Sequence, residues 1–256
     1  MYAKKSLGQH FLTSQSAVRA MVDAGAVQKG DTVLEIGPGK GVLTAELLVR
    51  GAHVVAIEKD TRMIPVLQER FADEIAGRQL QIIEADALEF DLSFLKATSY
   101  KLIANIPYYI TGALFEKFLS AAHQPTMLVF LVQKEIAQRI AREEKESLLS
   151  LSIKAYGTPK YVKTVPRGAF SPAPKVDSAI LAVEGVSRKN FKNAAHEERF
   201  FALIKAGFAH KRKLLARNIE PILGDRSTEA LAHAGILLNV RAEDVSLPKW
   251  LMLAGA

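Results

Sequence analysis

The chain has 256 residues, 49% hydrophobic and 24% charged, with no cysteine, which allows one large domain with an appendage and excludes disulfide and thiol chemistry. No apolar run approaches the roughly 20 residues of a membrane span, and the opening MYAKKSLGQHFL lacks the apolar stretch of a signal peptide, so a reducing cytoplasm is the expected compartment. The formal net charge is +7, of which residues 186–256 carry +5 and residues 1–185 carry +2, a distribution that suits a polyanionic partner.

In chain order, DTVLEIG (31–37), HVVAIE (53–58), LQIIEAD (80–86), YKLIANI (100–106) and TMLVFLV (126–132) read as strands. Helical patterns lie between them near 41–50, 60–71 and 111–121, with a weaker one at 92–96. Strands interleaved with helices predict a parallel, doubly wound α/β sheet with right-handed crossovers. The strands are apolar on both faces, as a sheet covered on two sides requires. After a helix over 133–145 the rhythm changes. KYVKTVP (160–166) and SAILAVE (178–184) read as an antiparallel strand pair joined by the proline-stiffened RGAFSPAPKVD. From about residue 186 only helical signals remain, including 197–209, where Phe200, Ile204 and Phe208 share one face. The expected division is 1–185 for the sheet domain and 186–256 for a small all-helical domain.

The first strand ends in EIGPGKG, placing Glu35, Gly37, Gly39 and Gly41 at a strand-to-helix turn. Glycines there accept positive φ angles and let backbone approach a ligand. The dinucleotide fingerprint needs a further glycine where Val42 stands, which disfavours hydride chemistry. The spacing fits S-adenosylmethionine enzymes instead. Glu58 closes the second strand, where a carboxylate accepts ribose hydroxyls. Asp86 closes the third, placed for an adenine amino group. Either acid alone could simply cap a helix; both, at successive strand ends beside a glycine turn, favour a ligand site. The fourth strand runs into NIPYYIT (105–111). Asn105 offers a side-chain carbonyl, Ile106 a backbone carbonyl, Pro107 a fixed φ and Tyr108 a stacking face. Two acceptors on an exocyclic amine would localise its lone pair for attack on a sulfonium methyl. Tyr109, Ile110 and Thr111 are expected to pack and begin the next helix. The six histidines show no ligand spacing, so no metal site is expected.

These motifs, with KKSLGQHFL (4–12), AFSPAPKVDSAIL (169–181), GFAHKRKLLARNI (207–219) and RAEDVS (241–246), resemble the ribosomal RNA adenine dimethyltransferases, most closely the bacterial type acting on small-subunit RNA. The fold is then a Rossmann-like methyltransferase sheet. The resemblance implies S-adenosyl-L-methionine as cofactor, contacted by His10, Leu12, Gly37, Gly39, Glu58, Asp86 and Asn105. His10 stands where the family often has asparagine. It implies Asn105, Ile106, Pro107 and Tyr108 at the reacting amine, with Phe170 as a second aromatic against the target adenine. Lys175, Lys211, Arg212 and Lys213 would meet RNA phosphates; as charges alone they could equally be solvated. At 143–153 the pattern departs from the family, with Leu148 and Leu149 in place of a common Tyr-Gly pair. Leu214 replaces a usual threonine.

The implied activity is dimethylation of two adjacent adenosines in the 3′-terminal hairpin loop of small-subunit rRNA within an assembling 30S particle. The enzyme would act as a monomer, without a membrane or protein partner. Two alternatives remain at this point: a large-subunit rRNA methyltransferase conferring macrolide resistance, and a non-catalytic RNA-binding assembly factor. The C-terminal motifs speak against the first, and the intact Asn105, Tyr108 and glycines against the second.

Overall fold

The computed structural model describes residues 8–95 and 99–256. Lys4 to Leu7 of the N-terminal motif, and Lys96 at the end of the weak helical pattern, lie outside the described residues. The chain forms two compact units. The first runs to Ala137 and resumes at Pro159–Val186; the second comprises Gln138–Thr158 and Ser187–Ala256.

The first unit opens with a two-residue strand β1 (Phe11–Leu12) and α1 (Gln15–Ala24), whose N-cap Ser14 accepts from the Ala17 N–H. There follow β2 (Thr32–Ile36), α2 (Val42–Val49), β3 (His53–Glu58), α3 (Met63–Arg70), α4 (Ala72–Ala76) and β4 (Leu80–Glu84). The chain continues through β5 (Tyr100–Asn105), α5 (Thr111–Ser120) and β6 (Met127–Gln133), and enters α6 (Lys134–Ala141). Then come, in the second unit, α7 (Leu148–Lys154) and, back in the sheet, β7 (Thr158–Val165), β8 (Phe170–Ser171) and β9 (Ser178–Glu184). The seven-stranded order is β4-β3-β2-β5-β6-β9-β7. The first five strands pair in parallel and β9 runs antiparallel to β6. Strand order reverses between β2 and β5, and such a switch point leaves a crevice at the carboxyl ends of the strands. Val33, Leu34, Val54, Ile57, Leu102, Ile103, Leu128 and Val129 are all buried, which explains strands without alternation.

The segment 166–177 is more ordered than a stiffened loop. It folds into one 3₁₀ turn and then β8, which pairs antiparallel with β1, matching Phe11 to Ser171 and Leu12 to Phe170. The Thr13 backbone N–H and hydroxyl both donate to the Ala169 carbonyl, at 2.8 and 2.9 Å. This short ladder fixes residues 11–13.

The second unit holds α7 and the helices α8 (Ala194–Gly207), α9 (Leu215–Leu223), α10 (Ser227–His233) and α11 (Leu247–Ala254). Helix α8 begins earlier than the apolar spacing indicates because Asn193 caps it, accepting from the His196 N–H at 2.9 Å. Phe200, Leu203, Ile204, Leu215, Ile219, Leu231 and Trp250 form its core, joined by Leu151 and Ala155 of α7. The helix expected over 133–145 ends at Ala141, 143–147 is irregular, and a Ser147/Ser150 capping box then starts α7 within the divergent stretch. Its apolar face packs with the C-terminal helices, so 138–158, expected with the sheet domain, groups with 187–256.

Candidate active site

At the carboxyl edge of the sheet a cavity is lined by residues 8–12, the 36–42 turn, Ile57–Lys59, Ala85–Leu88 and Asn105–Ile110. It thus gathers His10, Leu12, Gly37, Gly39, Glu58, Asp86 and the Asn105–Tyr108 turn from strands and segments far apart in sequence. Gly37, Gly39 and Gly41 all have left-handed φ, at +65°, +55° and +75°. A Cβ on Gly37 would enter open space, whereas one on Gly39 would stand 3.0 Å from the Phe11 ring and one on Gly41 2.4 Å from Phe71. The turn therefore admits a ligand at Gly37 and packs the protein itself at Gly41.

The acids are held in distinct states. Glu35 is fully buried, accepts from the Thr44 hydroxyl at 2.7 Å, and is raised to about 8, chiefly by burial against the pull of that hydroxyl. Glu58 receives the Gly39 N–H at 3.0 Å on one oxygen and the Asp60 N–H at 2.8 Å on the other. Burial also raises its pKa, against those two N–H bonds. Each oxygen keeps a lone pair, so the carboxylate is aimed and still able to accept hydroxyls. Asp86 pairs with the Lys59 ammonium at 2.5 Å and accepts the Leu88 N–H at 2.9 Å; both hold its carboxyl below the usual range. Its backbone carbonyl takes the N–H groups of Glu89 and Phe90. Asp86 is thus a turn cap and a cavity residue at once.

Asn105 is oriented by a bond from its Nδ2 to the His10 carbonyl at 3.1 Å. A carbonyl only accepts, so the amide cannot face the other way, and Oδ1 is left as the acceptor. Pro107 (φ −60°) starts a 3₁₀ turn over Tyr108–Ile110, and the Thr111 hydroxyl closes it on the Tyr108 carbonyl at 2.9 Å. The Ile106 side chain is buried and anchors the turn. The Tyr108 phenol bonds Ser178 Oγ at 2.7 Å, and its ring stacks near His10 with centroids 6.1 Å apart. His10 itself meets the Pro172 carbonyl through Nδ1 at 2.8 Å.

Two expectations change. Phe170, expected as a second aromatic against the target adenine, is 5% exposed, belongs to the core beside Leu12, and does not line the cavity, because the β1–β8 pairing turns it inward. Tyr109 does not pack: it is 66% exposed and lines the cavity near Gly8. Lys59, Lys40 and Gln9 also belong to the site and went unread. Gln9 donates to Asp60 at 2.8 Å, and the Lys40 ammonium sits 5.1 Å over the Phe11 ring. Only a glutamine directly before His10 hinted at such a fastening. Thr111 does behave as expected, buried at the start of α5.

Lys175 is exposed between β8 and β9. Lys211, Arg212 and Lys213 lie in the second unit, exposed in the turn between α8 and α9. Asn218 fixes that turn by donating to the carbonyls of Gly207 and His210 at 2.6 and 3.1 Å. Among the described residues no cluster of ligating side chains could hold a metal, and no helix is long and apolar enough to cross a membrane.

A model of the ribosomal RNA adenine dimethylase family matches residues 1–255. The ribosomal RNA small subunit methyltransferase A of Dehalococcoides mccartyi is 40% identical over 98% of this chain and 87% of its own length. That of Deinococcus radiodurans is 41% identical over 95% and 82%. Among solved structures, the 23S rRNA methyltransferase ErmE is similar over 96% of this chain and 98% of its own, with 26% identity and a TM-score of 0.78. A dimethyladenosine transferase from Plasmodium falciparum is similar over 95% and 96%, with 25% identity and a TM-score of 0.79.

Proposed function

The chain belongs to the ribosomal RNA adenine dimethylase family, and on that premise we propose that it dimethylates two adjacent adenosines in the 3′-terminal hairpin loop of small-subunit rRNA. It is an S-adenosylmethionine-dependent rRNA adenine dimethyltransferase. Relatives 40% and 41% identical carry the small-subunit name, against 26% for the large-subunit enzyme, and this supports the small subunit as target. The assembling 30S particle is the proposed partner, met in the cytoplasm by a monomer. Unpaired loop adenines suit the chemistry, because splaying them out costs less than extruding a paired base.

The observation that carries the reading is the fixed amide of Asn105. With Nδ2 held by His10, Oδ1 accepts one N–H of the target amine, and the Ile106 carbonyl accepts the other. The nitrogen lone pair is thereby drawn out of conjugation with the ring. The Tyr108 ring, anchored through its phenol, offers the base a face worth roughly 1–3 kcal/mol. Bound cofactor would supply the electrophilic methyl on a sulfonium: as the N–C bond forms the C–S bond breaks and a neutral thioether leaves, and the alkylated amine, now strongly acidic, gives its proton to solvent without a strong base. Glu58 would hold the ribose hydroxyls and Asp86 the adenine amino group, and Gly37 would admit the cofactor against backbone. What the residues contribute is position and preorganised electrostatics.

The test is incubation with labelled S-adenosylmethionine and unmethylated small or large subunits, followed by mapping of modified bases. Label on two neighbouring small-subunit adenosines is expected. Label confined to the large subunit overturns the assignment.

A further inference from the structure

Lys117, on α5, does not line the cavity. Its ammonium donates to two carbonyls of the loop after β4, Leu88 O at 2.9 Å and Phe90 O at 2.6 Å. That loop spends its N–H groups inward, with Leu88 bonded to the Asp86 side chain and Glu89 and Phe90 to the Asp86 carbonyl. Two carbonyls are therefore turned outward onto one point, where their dipoles repel unless a cation gathers them. Lys117 is half-buried there, and burial lowers its pKa while Asp86, Asp91 and Glu89 favour the charge. At its other end, α5 starts at Thr111 on the Tyr108 carbonyl.

We propose that Lys117 is a positioning residue: its ammonium clasps the loop carrying Asp86 and Leu88 to the helix that follows the Asn105 turn, so cofactor affinity depends on a cation at this position. The inference rests on the reading that this loop takes the nucleoside end of the cofactor. Lys117→Met, Lys117→Gln and Lys117→Arg are compared with the wild-type full chain by calorimetric titration with S-adenosylhomocysteine, and by steady-state methylation of small subunits. Lys117→Met is expected to raise Kd and the cofactor KM roughly tenfold, the scale of charged hydrogen bonds, with kcat at saturating cofactor unchanged. Lys117→Arg, which can donate to both carbonyls, should restore most of the affinity, and Lys117→Gln only part. Unchanged Kd and KM in Met and Gln variants overturn the clasp, as does a fall in kcat alone. A wild-type chain that binds no S-adenosylhomocysteine overturns the pocket reading itself, and the clasp with it.

Discussion

In the proposed mechanism the Asn105 amide has two tasks, and one substitution removes both. Asn105→Ala removes the acceptor for the amine and the bond to the His10 carbonyl. Loss of a single preorganised group costs about 10²–10³ in kcat, whereas cofactor affinity should stay within about tenfold, since Glu58, Asp86 and Gly37 remain. Single-turnover methylation beside S-adenosylhomocysteine titration measures both, and near-wild-type turnover would sink the mechanism. Glu35 makes a different prediction. Its carboxyl titrates near 8 in the folded chain against an ordinary value of 4.5. A raised pKa means the native state binds the proton more tightly, so this contribution to stability is complete below pH 4.5 and lost as pH rises through 8. Glu35→Gln keeps an acceptor for Thr44 without the titration. Its melting temperature relative to wild type should therefore climb between pH 4.5 and 8; parallel melting curves would refute the assignment.

At the level of elements, the glycine turn before α2 divides into a ligand-facing and a protein-facing part. Gly41→Ala forces an L-residue to φ +75° and drives its methyl into Phe71. The backbone alone costs about 1–2 kcal/mol, lowering Tm by roughly 2–4 °C for each kcal/mol in a chain of this size. Gly37→Ala meets no protein atom, so it should lose cofactor affinity out of proportion to its loss of Tm. Equal effects of both on binding would contradict this division. The five parallel-paired strands were legible because burial on both faces makes continuous apolar runs, and their ends carried the glycines, Glu58, Asp86 and Asn105. The β1–β8 pair was not legible. Two residues have no periodicity, and their register joins Phe11 to Ser171 across most of the domain's sequence. That hidden pairing is why Phe170, expected against the target adenine, is instead buried in the core. Lys117 was invisible for a related reason, since its partners are main-chain carbonyls that no side-chain pattern announces.

Across the whole molecule, positive charge concentrates after residue 186, and Lys211, Arg212 and Lys213 stand exposed on a turn braced by Asn218. Neutralising all three should weaken RNA binding and reduce the slope of log K against log salt by about 2–3, at 0.7–0.9 per phosphate contact. An unchanged slope would make them a merely solvated face. The two units also interleave along the chain, with breaks at 137/138, 158/159 and 186/187. Biosynthesis therefore meets them out of step. Helix α7 is made early, yet the core that Leu151 and Ala155 join gains Phe200 and Leu203 only with α8 and Trp250 only with the last helix. The strand β9 likewise comes after β7 and must enter between it and β6. A nascent chain stopped near residue 186 could complete its sheet while still exposing the apolar face of α7, a surface prone to aggregate. Cutting the gene at that point would strip Leu151 and Ala155 from the core of the C-terminal half, so a separable fragment of that half has to carry 138–158 as well.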